Sequence, residues 1–111
     1  MPPHVPGRGE LVWLQFDPIV GHEQGGHRPA FVISPRPYNA RSGRALVCPV
    51  TSRSKGYPFE VALSDDLPVS GVILADQLRS VDWRARGIRY IATAPREVTA
   101  TVIAKSVTLF V

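Results

Sequence analysis

The fold is decided by the stretch Glu10-Leu11-Val12-Trp13-Leu14-Gln15-Phe16. Val12, Leu14 and Phe16 lie at every second position. The other alternating positions hold Leu11, Trp13 and Gln15, of which two are also apolar. This period of two predicts a strand that is buried over most of its surface. The core is therefore the expected place of Trp13. Asp17-Pro18 ends the strand, because proline has no backbone N–H to donate to a sheet.

Six further apolar runs, each bounded by turn-forming residues, predict strands at residues 29–34, 45–50, 58–63, 71–75, 78–83 and 88–92. Residues 35–44 predict a polar turn. Residues 95–111 are rich in Val and Thr, which prefer strands. Their apolar side chains nevertheless recur at three- and four-residue steps, which favours a terminal helix of about three to four turns. The expected fold is mainly β, most simply a small barrel, with a C-terminal α-helix.

The size and charge of the chain limit its class. We expect one domain over residues 1–111. Lys and Arg together number 13, against 9 Asp and Glu, and the net charge is +4. Eleven of the 13 basic residues are arginines, whose planar guanidinium suits phosphates and base edges. This balance favours a nucleic acid or another polyanion as the partner.

Cysteine usage and hydropathy point to the cytosol. Cys48 is the single cysteine, so the chain has no internal disulfide, and its apolar surroundings predict a buried, inert thiol. Residues 1–9 have no apolar core and do not resemble a signal peptide. No apolar run approaches the ~20 residues of a membrane span. We therefore expect a cytoplasmic protein with no membrane partner.

A glycine-rich loop at residues 19–28 contains the first candidate site. His22 and His27 are five residues apart with two glycines between them, so they would not share a helix face as zinc-binding histidines do. No metal and no other cofactor is expected. Nothing in the chain resembles a serine nucleophile elbow either. A solvent-exposed loop position is the default for His22 and for His4.

Cleavage of RNA through its own 2′-hydroxyl would fit this loop. The substrate supplies the nucleophile, so the enzyme needs a proton acceptor and donors for the charge that develops on phosphorus. Glu23 could accept the proton, Arg28 could hold the phosphate, and the Thr51 hydroxyl could donate to a phosphoryl oxygen. From composition alone, a simple ion pair between Glu23 and Arg28 is the more frequent arrangement.

Three polar loop regions that pair hydroxyl or amide groups with arginine could line one groove for RNA. For Trp83 two interpretations stay open, a core or dimer-interface aromatic and a base-stacking surface. Arg84-Ala85-Arg86 could equally be a solvated turn or a phosphate contact. The residues predicted to contact RNA are His27, Ser52, Arg53, Lys55, Tyr57, Gln77, Arg79, Ser80, Trp83, Arg84 and Arg86.

Several segments together resemble the MazF/PemK family of toxins over nearly the whole chain. The resemblance begins at Gly9-Glu10-Leu11-Val12-Trp13 and continues through Glu23-Gln24 and His27-Arg28-Pro29-Ala30. It is closest in Ser54-Lys55-Gly56-Tyr57-Pro58-Phe59-Glu60-Val61. It ends with Leu74-Ala75-Asp76-Gln77 and Trp83-Arg84-Ala85-Arg86-Gly87.

The resemblance implies a small SH3-like, PemK/MazF-type barrel that forms a homodimer. It implies the toxin of a type II toxin-antitoxin system, an mRNA interferase that cuts single-stranded RNA at specific sites, leaving a 2′,3′-cyclic phosphate and a 5′-hydroxyl. A MazE-like antitoxin would neutralise it with an acidic tail. The family's catalytic pair matches Arg28 and Thr51, and Glu23 matches a contributing glutamate.

The recognition sequence is the least constrained part of the resemblance. Relatives with the Lys-Gly-Tyr-Pro-Phe segment often cut at ACA-containing sites, which is the expected type here. Ser52-Arg53 and Val81-Asp82 depart from the family pattern. Two alternatives remain: a CcdB-like toxin that inhibits DNA gyrase, and an RNA-binding barrel without catalysis. Neither would need Glu23, Arg28 and Thr51 together.

Overall fold

The computed structural model describes residues 4–16 and 27–111. Within these ranges the chain is mainly β with a C-terminal helix, as predicted. The strands are β1 (Glu10–Gln15), β2 (His27–Val32), β3 (Arg44–Thr51), β4 (Glu60–Ala62), β5 (Val72–Leu74), β6 (Arg79–Asp82) and β7 (Arg89–Thr93). The helices are α1 (Arg36–Ser42) and α2 (Arg96–Val107). Neither helix is long and apolar enough to cross a membrane.

Antiparallel pairing joins all seven strands into one sheet. Its main path runs β4-β5-β3-β2-β1-β7, and β6 pairs with β3 beside that path. The long strand β3 is the hub, because its first half pairs with β6 and its last two residues pair with β5. Residues near the end of β3 are therefore held by neighbours from distant parts of the sequence.

Two apolar clusters cover the two faces of the sheet. Leu11, Phe31 and Cys48 belong to the cluster that includes Val102 of α2. The second apolar cluster contains Val12, Leu14, Ala30, Val47 and Trp83. The alternation arises because successive side chains of a strand point to opposite faces. This explains why the opening stretch is apolar in both of its alternating sets.

Cys48 is buried, as predicted. Burial, together with the negative charge of Asp76, raises the pKa of its thiol to about 12. The thiolate is the reactive form of cysteine. Cys48 therefore serves as a small core residue.

The prediction of a turn at residues 35–44 was wrong, because α1 lies there. Proline is tolerated in the first turn of a helix, where the N–H has no partner within the helix. Gly43 ends α1 with a left-handed φ of 70°. Asn39 is fully buried and donates from Nδ2 to the Pro6 carbonyl at 2.8 Å. Tertiary contacts of this kind stabilise a helix whose composition alone indicated a turn.

Trp13 also departs from its prediction, since it is half-buried and lies outside both apolar clusters. Its ring stacks on the exposed imidazole of His27, with 5.8 Å between the centroids. The residues opposite Trp13 on the neighbouring strands are Pro29 and Arg89. Neither provides an apolar pocket for an indole ring, so Trp13 remains at the surface of the sheet.

His4 is exposed, as expected, but it has a specific partner. Its Nε2 lies 2.8 Å from Oε1 of Glu10, and Arg36 Nη2 lies 2.8 Å from Oε2 of the same carboxylate. Burial raises the pKa of Glu10, but the hydrogen bonds from His4, Arg36 and Gly7 outweigh it and lower that pKa overall. This ion cluster ties the N-terminal residues to α1.

Candidate functional site

A polar cavity of about 430 Å³ lies at the end of β3. Five of its lining residues were predicted from the sequence as catalytic or RNA-binding. The lining residues are Thr51, Arg53, Lys55, Tyr57, Glu60, Leu74, Asp76 and Gln77. The fold thus brings two of the predicted loop regions together, one after β3 and one after β5.

Thr51 is the last residue of β3 and is largely buried. Its Oγ1 accepts a hydrogen bond from the Arg53 amide at 3.2 Å. This bond uses a lone pair of the oxygen and leaves the hydroxyl proton for an acceptor such as a phosphoryl oxygen. The Thr51 hydroxyl is therefore held in place as a potential donor in the cavity wall.

Gly71 allows β5 to approach Thr51 closely. A Cβ atom at Gly71 would lie 2.2 Å from the Thr51 carbonyl oxygen, and its φ of 118° is one that other residues rarely adopt. Beyond it, Val72 pairs with Thr51. The position of Thr51 thus depends on a glycine twenty residues away in the sequence.

Arg28 lies on β2, opposite Leu14 of β1, and is half-buried. On its other side β2 pairs with β3 through Val32↔Val47, Phe31↔Cys48 and Ala30↔Pro49. Two residues further along each strand, this register reaches Arg28 and Thr51. Directly opposite residues of an antiparallel pair project from the same face. The paired residues of β2 and β3 end at Ala30↔Pro49, and a continuation of that register would put Arg28 and Thr51 on the same face, although Arg28 does not line the cavity itself.

Other predicted RNA-contacting residues lie along β6, outside the cavity lining. The Arg79 guanidinium lies 5.4 Å from the ring centroid of Phe16. Ser80 Oγ accepts a hydrogen bond from Arg44 Nε at 2.9 Å. Ser52 is exposed at the end of β3. The predicted RNA-contacting residues are therefore divided between the cavity and β6, where Arg79 and Ser80 pair with Val47 and Leu46 of β3.

The turn after β6 corrects one prediction. Trp83 is fully buried in the second apolar cluster, and its Nε1 donates to the Asn39 carbonyl at 3.0 Å. A ring without exposed surface cannot stack on a base, so the core interpretation of Trp83 holds and its assignment to RNA contact was wrong. Arg84 covers the Trp83 ring at 4.8 Å. Arg86 Nη1 donates to the Gln15 carbonyl at 2.9 Å.

The structure adds Glu60, Leu74 and Asp76 to the predicted site. Glu60 lines the cavity and was not among the predicted site residues, although it lies in the segment of closest family resemblance. Its carboxylate accepts hydrogen bonds from Ser54 and Lys55. Glu23 and His22 lie outside the described residues, so their predictions stay as they were.

The fold and the cavity define a class of protein. A small basic β domain with Arg and Lys side chains around a polar cavity at strand ends suits a polyanionic ligand. Residues 7–109 match the family model described as the PemK-like, MazF-like toxin of type II toxin-antitoxin systems. The chain belongs to this family.

Several characterised relatives are similar along most of their length. The endoribonuclease toxin MazF of Escherichia coli (strain K12) is 53% identical over 96 residues, which cover 86% of each chain. The crystal structure of MazF from Deinococcus radiodurans is 56% identical with a TM-score of 0.93, covering 97% of this chain and 98% of that one. A MazE-MazF structure from the same organism has a TM-score of 0.89 at 56% identity, covering 97% of each chain.

Proposed function

We propose that this protein is an endoribonuclease that cleaves single-stranded RNA through the 2′-hydroxyl of its substrate. The observation that carries the proposal is the position of Thr51 in the wall of a polar cavity, at the end of a strand that pairs with the strand of Arg28. The relatives named endoribonuclease support the same reaction class. No metal is needed for this chemistry, because the substrate contains the nucleophile.

In the proposed step, the 2′ oxygen attacks phosphorus while its proton passes to a base, for which Glu23 is the candidate. Arg28 and the Thr51 hydroxyl donate to the phosphoryl oxygens, where negative charge increases in the pentavalent state. The bond from phosphorus to the 5′ oxygen then breaks, and that oxygen takes up a proton from solvent water. The products are a 2′,3′-cyclic phosphate and a 5′-hydroxyl.

The cavity is the proposed place of base recognition. Gln77 and Asp76 present amide and carboxylate groups there, which can bind the amino groups of adenine and cytosine. The half-exposed Tyr57 ring offers a stacking surface. These groups suit an ACA-containing site, which we propose as the target.

Single 2′-deoxy substitutions test the reaction. We expect a short ACA-containing RNA to be cut at one bond, and one substitution in a series along that RNA to abolish cutting, because it removes the nucleophile. Gel separation with mapping of 5′-hydroxyl ends measures this. Cleavage of every substituted RNA, or loss of cleavage with EDTA, would sink the proposal. Growth arrest without RNA fragments would favour the gyrase-inhibiting alternative.

A MazE-like antitoxin is the proposed protein partner. The MazE-MazF complexes of Deinococcus radiodurans support this, since their MazF chains are 50–56% identical to this one. Arg53 and Lys55 in the cavity wall would attract an acidic peptide as well as RNA. An antitoxin tail bound there would exclude the substrate.

A second copy of this chain is the proposed occupant of an apolar groove between α1 and α2. The groove has a volume of about 430 Å³, and Ile33, Leu46, Leu78 and Phe110 line it. Phe110 is 71% exposed in the single chain. Exposed apolar surface of this kind is typical of a protein interface.

Replacing Phe110 with glutamate should weaken dimerisation by at least about 100-fold, because an unpaired charge would be placed in an apolar interface. Sedimentation velocity over a concentration series measures the effect. Tyr90→Ser, which removes an exposed aromatic ring outside the groove, serves as the control. A Phe110→Glu protein that associates like the Tyr90→Ser protein would contradict the proposed interface.

A further inference from the structure

Both oxygens of the Glu60 carboxylate bind the loop that forms one wall of the cavity. Ser54 Oγ donates to Oε1 at 2.8 Å, and the Lys55 amide donates to Oε2 at 2.9 Å. The Glu60 amide in turn donates to the Tyr57 carbonyl at 3.0 Å. One residue therefore closes the turn between residues 54 and 60 from both its side chain and its backbone.

The loop has two further anchors. At its beginning, the Arg53 amide donates to Oγ1 of Thr51. Near its end, the Lys105 ammonium of α2 donates to the Pro58 carbonyl. The 53–57 loop, residues Arg53 to Tyr57, is thus attached directly to the proposed catalytic threonine at one end and to Glu60 at the other. A change at Glu60 can reach Thr51 through this short path.

The Glu60 carboxylate accepts a hydrogen bond from the backbone amide of Lys55, not from its ammonium group. The positive charge of Lys55 therefore stays available to a ligand. Within residues 4–16 and 27–111, no ion pair within 4.0 Å involves the Lys55 ammonium. Hydrogen bonds from the Lys55 amide first, and from Ser54, hold the pKa of Glu60 below its ordinary value, so the carboxylate is ionised at neutral pH. The arrangement fixes the loop without neutralising the lysine that it presents to the cavity.

We propose that Glu60 is a positioning residue for RNA cleavage, which holds the 53–57 loop so that Lys55 and Arg53 meet a phosphate of the RNA strand bound at Thr51. This inference rests on the proposed endoribonuclease function. Glu60 does not touch the reacting atoms in this account. It acts through the loop, and its substitution should alter turnover more than RNA affinity.

A purely electrostatic role for Glu60 predicts that its neutralisation raises RNA affinity and leaves turnover unchanged. Neutralising a carboxylate beside Arg53 and Lys55 should strengthen binding of an anionic strand. Positioning predicts instead that Glu60→Gln lowers kcat, because a neutral amide replaces two charge-assisted hydrogen bonds with weaker ones. Glu60→Asp keeps the charge but has a shorter side chain that cannot reach both donors. Positioning therefore predicts that aspartate does not rescue activity.

The test measures kcat and KM on a fluorogenic ACA-containing RNA for wild type, Glu60→Gln, Glu60→Asp and Ser54→Ala. A misplacement of about 1 Å can cost about 100-fold in rate. We expect kcat to fall about 10- to 100-fold for both Glu60 variants, with KM unchanged or lower for Glu60→Gln. Ser54→Ala should show a smaller loss, because the Lys55 bond remains. Asp66→Asn, in an exposed turn, controls for the change in net charge.

The outcomes separate the inference from the function on which it rests. The positioning role would be overturned if the wild type cleaves RNA and either Glu60→Gln or Glu60→Asp has the same kcat and KM as the wild type. Full activity in Glu60→Asp alone would also overturn it, because that result would point to charge and not geometry. Thermal unfolding of each variant distinguishes a displaced loop from a destabilised protein, and loss of kcat in a variant with wild-type Tm supports the inference. Inactive wild type would contradict the proposed function itself.

Discussion

Replacing Arg28 with alanine is expected to lower kcat for RNA cleavage by about 10²- to 10³-fold, the usual effect of removing one donor to a developing oxyanion. This residue lies on β2, two residues before Ala30, which pairs with Pro49 of the strand that ends in Thr51. Lysine should restore only part of the activity. It keeps the charge but lacks the planar fork that binds two phosphate oxygens at once.

Two measurements make this prediction specific. Thermal unfolding should show that Arg28→Ala is folded, since the residue lies outside both apolar clusters. Binding to an RNA with a 2′-deoxy substitution at the cut site should weaken far less than kcat falls. Arg44→Ala, which removes an arginine of β3 that is bonded to Ser80 outside the cavity lining, is the matched control. If Arg28→Ala retained most of the wild-type rate, Arg28 would not be catalytic.

Replacing Trp83 with alanine is expected to destabilise the protein by about 3 to 5 kcal/mol, the usual cost of truncating a buried aromatic side chain. Trp83 is 0% exposed and connects two elements, because it packs in the second apolar cluster and donates to the Asn39 carbonyl of α1. The substitution would leave a large cavity between the sheet and α1. Chemical denaturation, followed by circular dichroism, measures the loss.

The stability of the Trp83→Phe variant distinguishes the contribution of packing from that of the hydrogen bond. Phenylalanine fills much of the space and lacks the Nε1 donor, while the Asn39 carbonyl still accepts from the Gly43 amide at 3.1 Å. We expect a loss of about 1 to 2 kcal/mol, since a net hydrogen bond contributes about 1 kcal/mol. Trp13→Phe, at a half-buried tryptophan outside the clusters, should change stability little. Equal losses at the two positions would contradict the burial assigned to Trp83.

The strands were predictable from the sequence because their signal is local. Apolar alternation places Val12 and Leu14 on one face, and both belong to the second cluster. The terminal helix α2 was predictable for the same reason, from its helical spacing. Helix α1 was not, because its polar residues resemble a turn and its support comes from contacts such as that of Asn39 with Pro6.

The two tryptophans also show that the local sequence does not determine which side chains are buried. Trp13 lies between Val12 and Leu14 in the sequence, and Trp83 lies between Asp82 and Arg84, yet only Trp83 is in the core. Burial depends on what lies across the sheet, and the residues opposite Trp13 are Pro29 and Arg89. These pairings join segments that are far apart in sequence, so local patterns do not contain them.

The sequence by itself determined the strand stretch Glu10 to Phe16, the family resemblance and the residue types of the proposed chemistry, because each is written in local order or in side-chain identity. Only the tertiary structure decided which candidates share a site. It placed Thr51 in a cavity with Lys55 and Gln77, and it left Arg79 and Ser80 of β6 outside that cavity. The physical reason is that sheet register and strand crossing are set by packing of the whole chain, which no segment specifies alone.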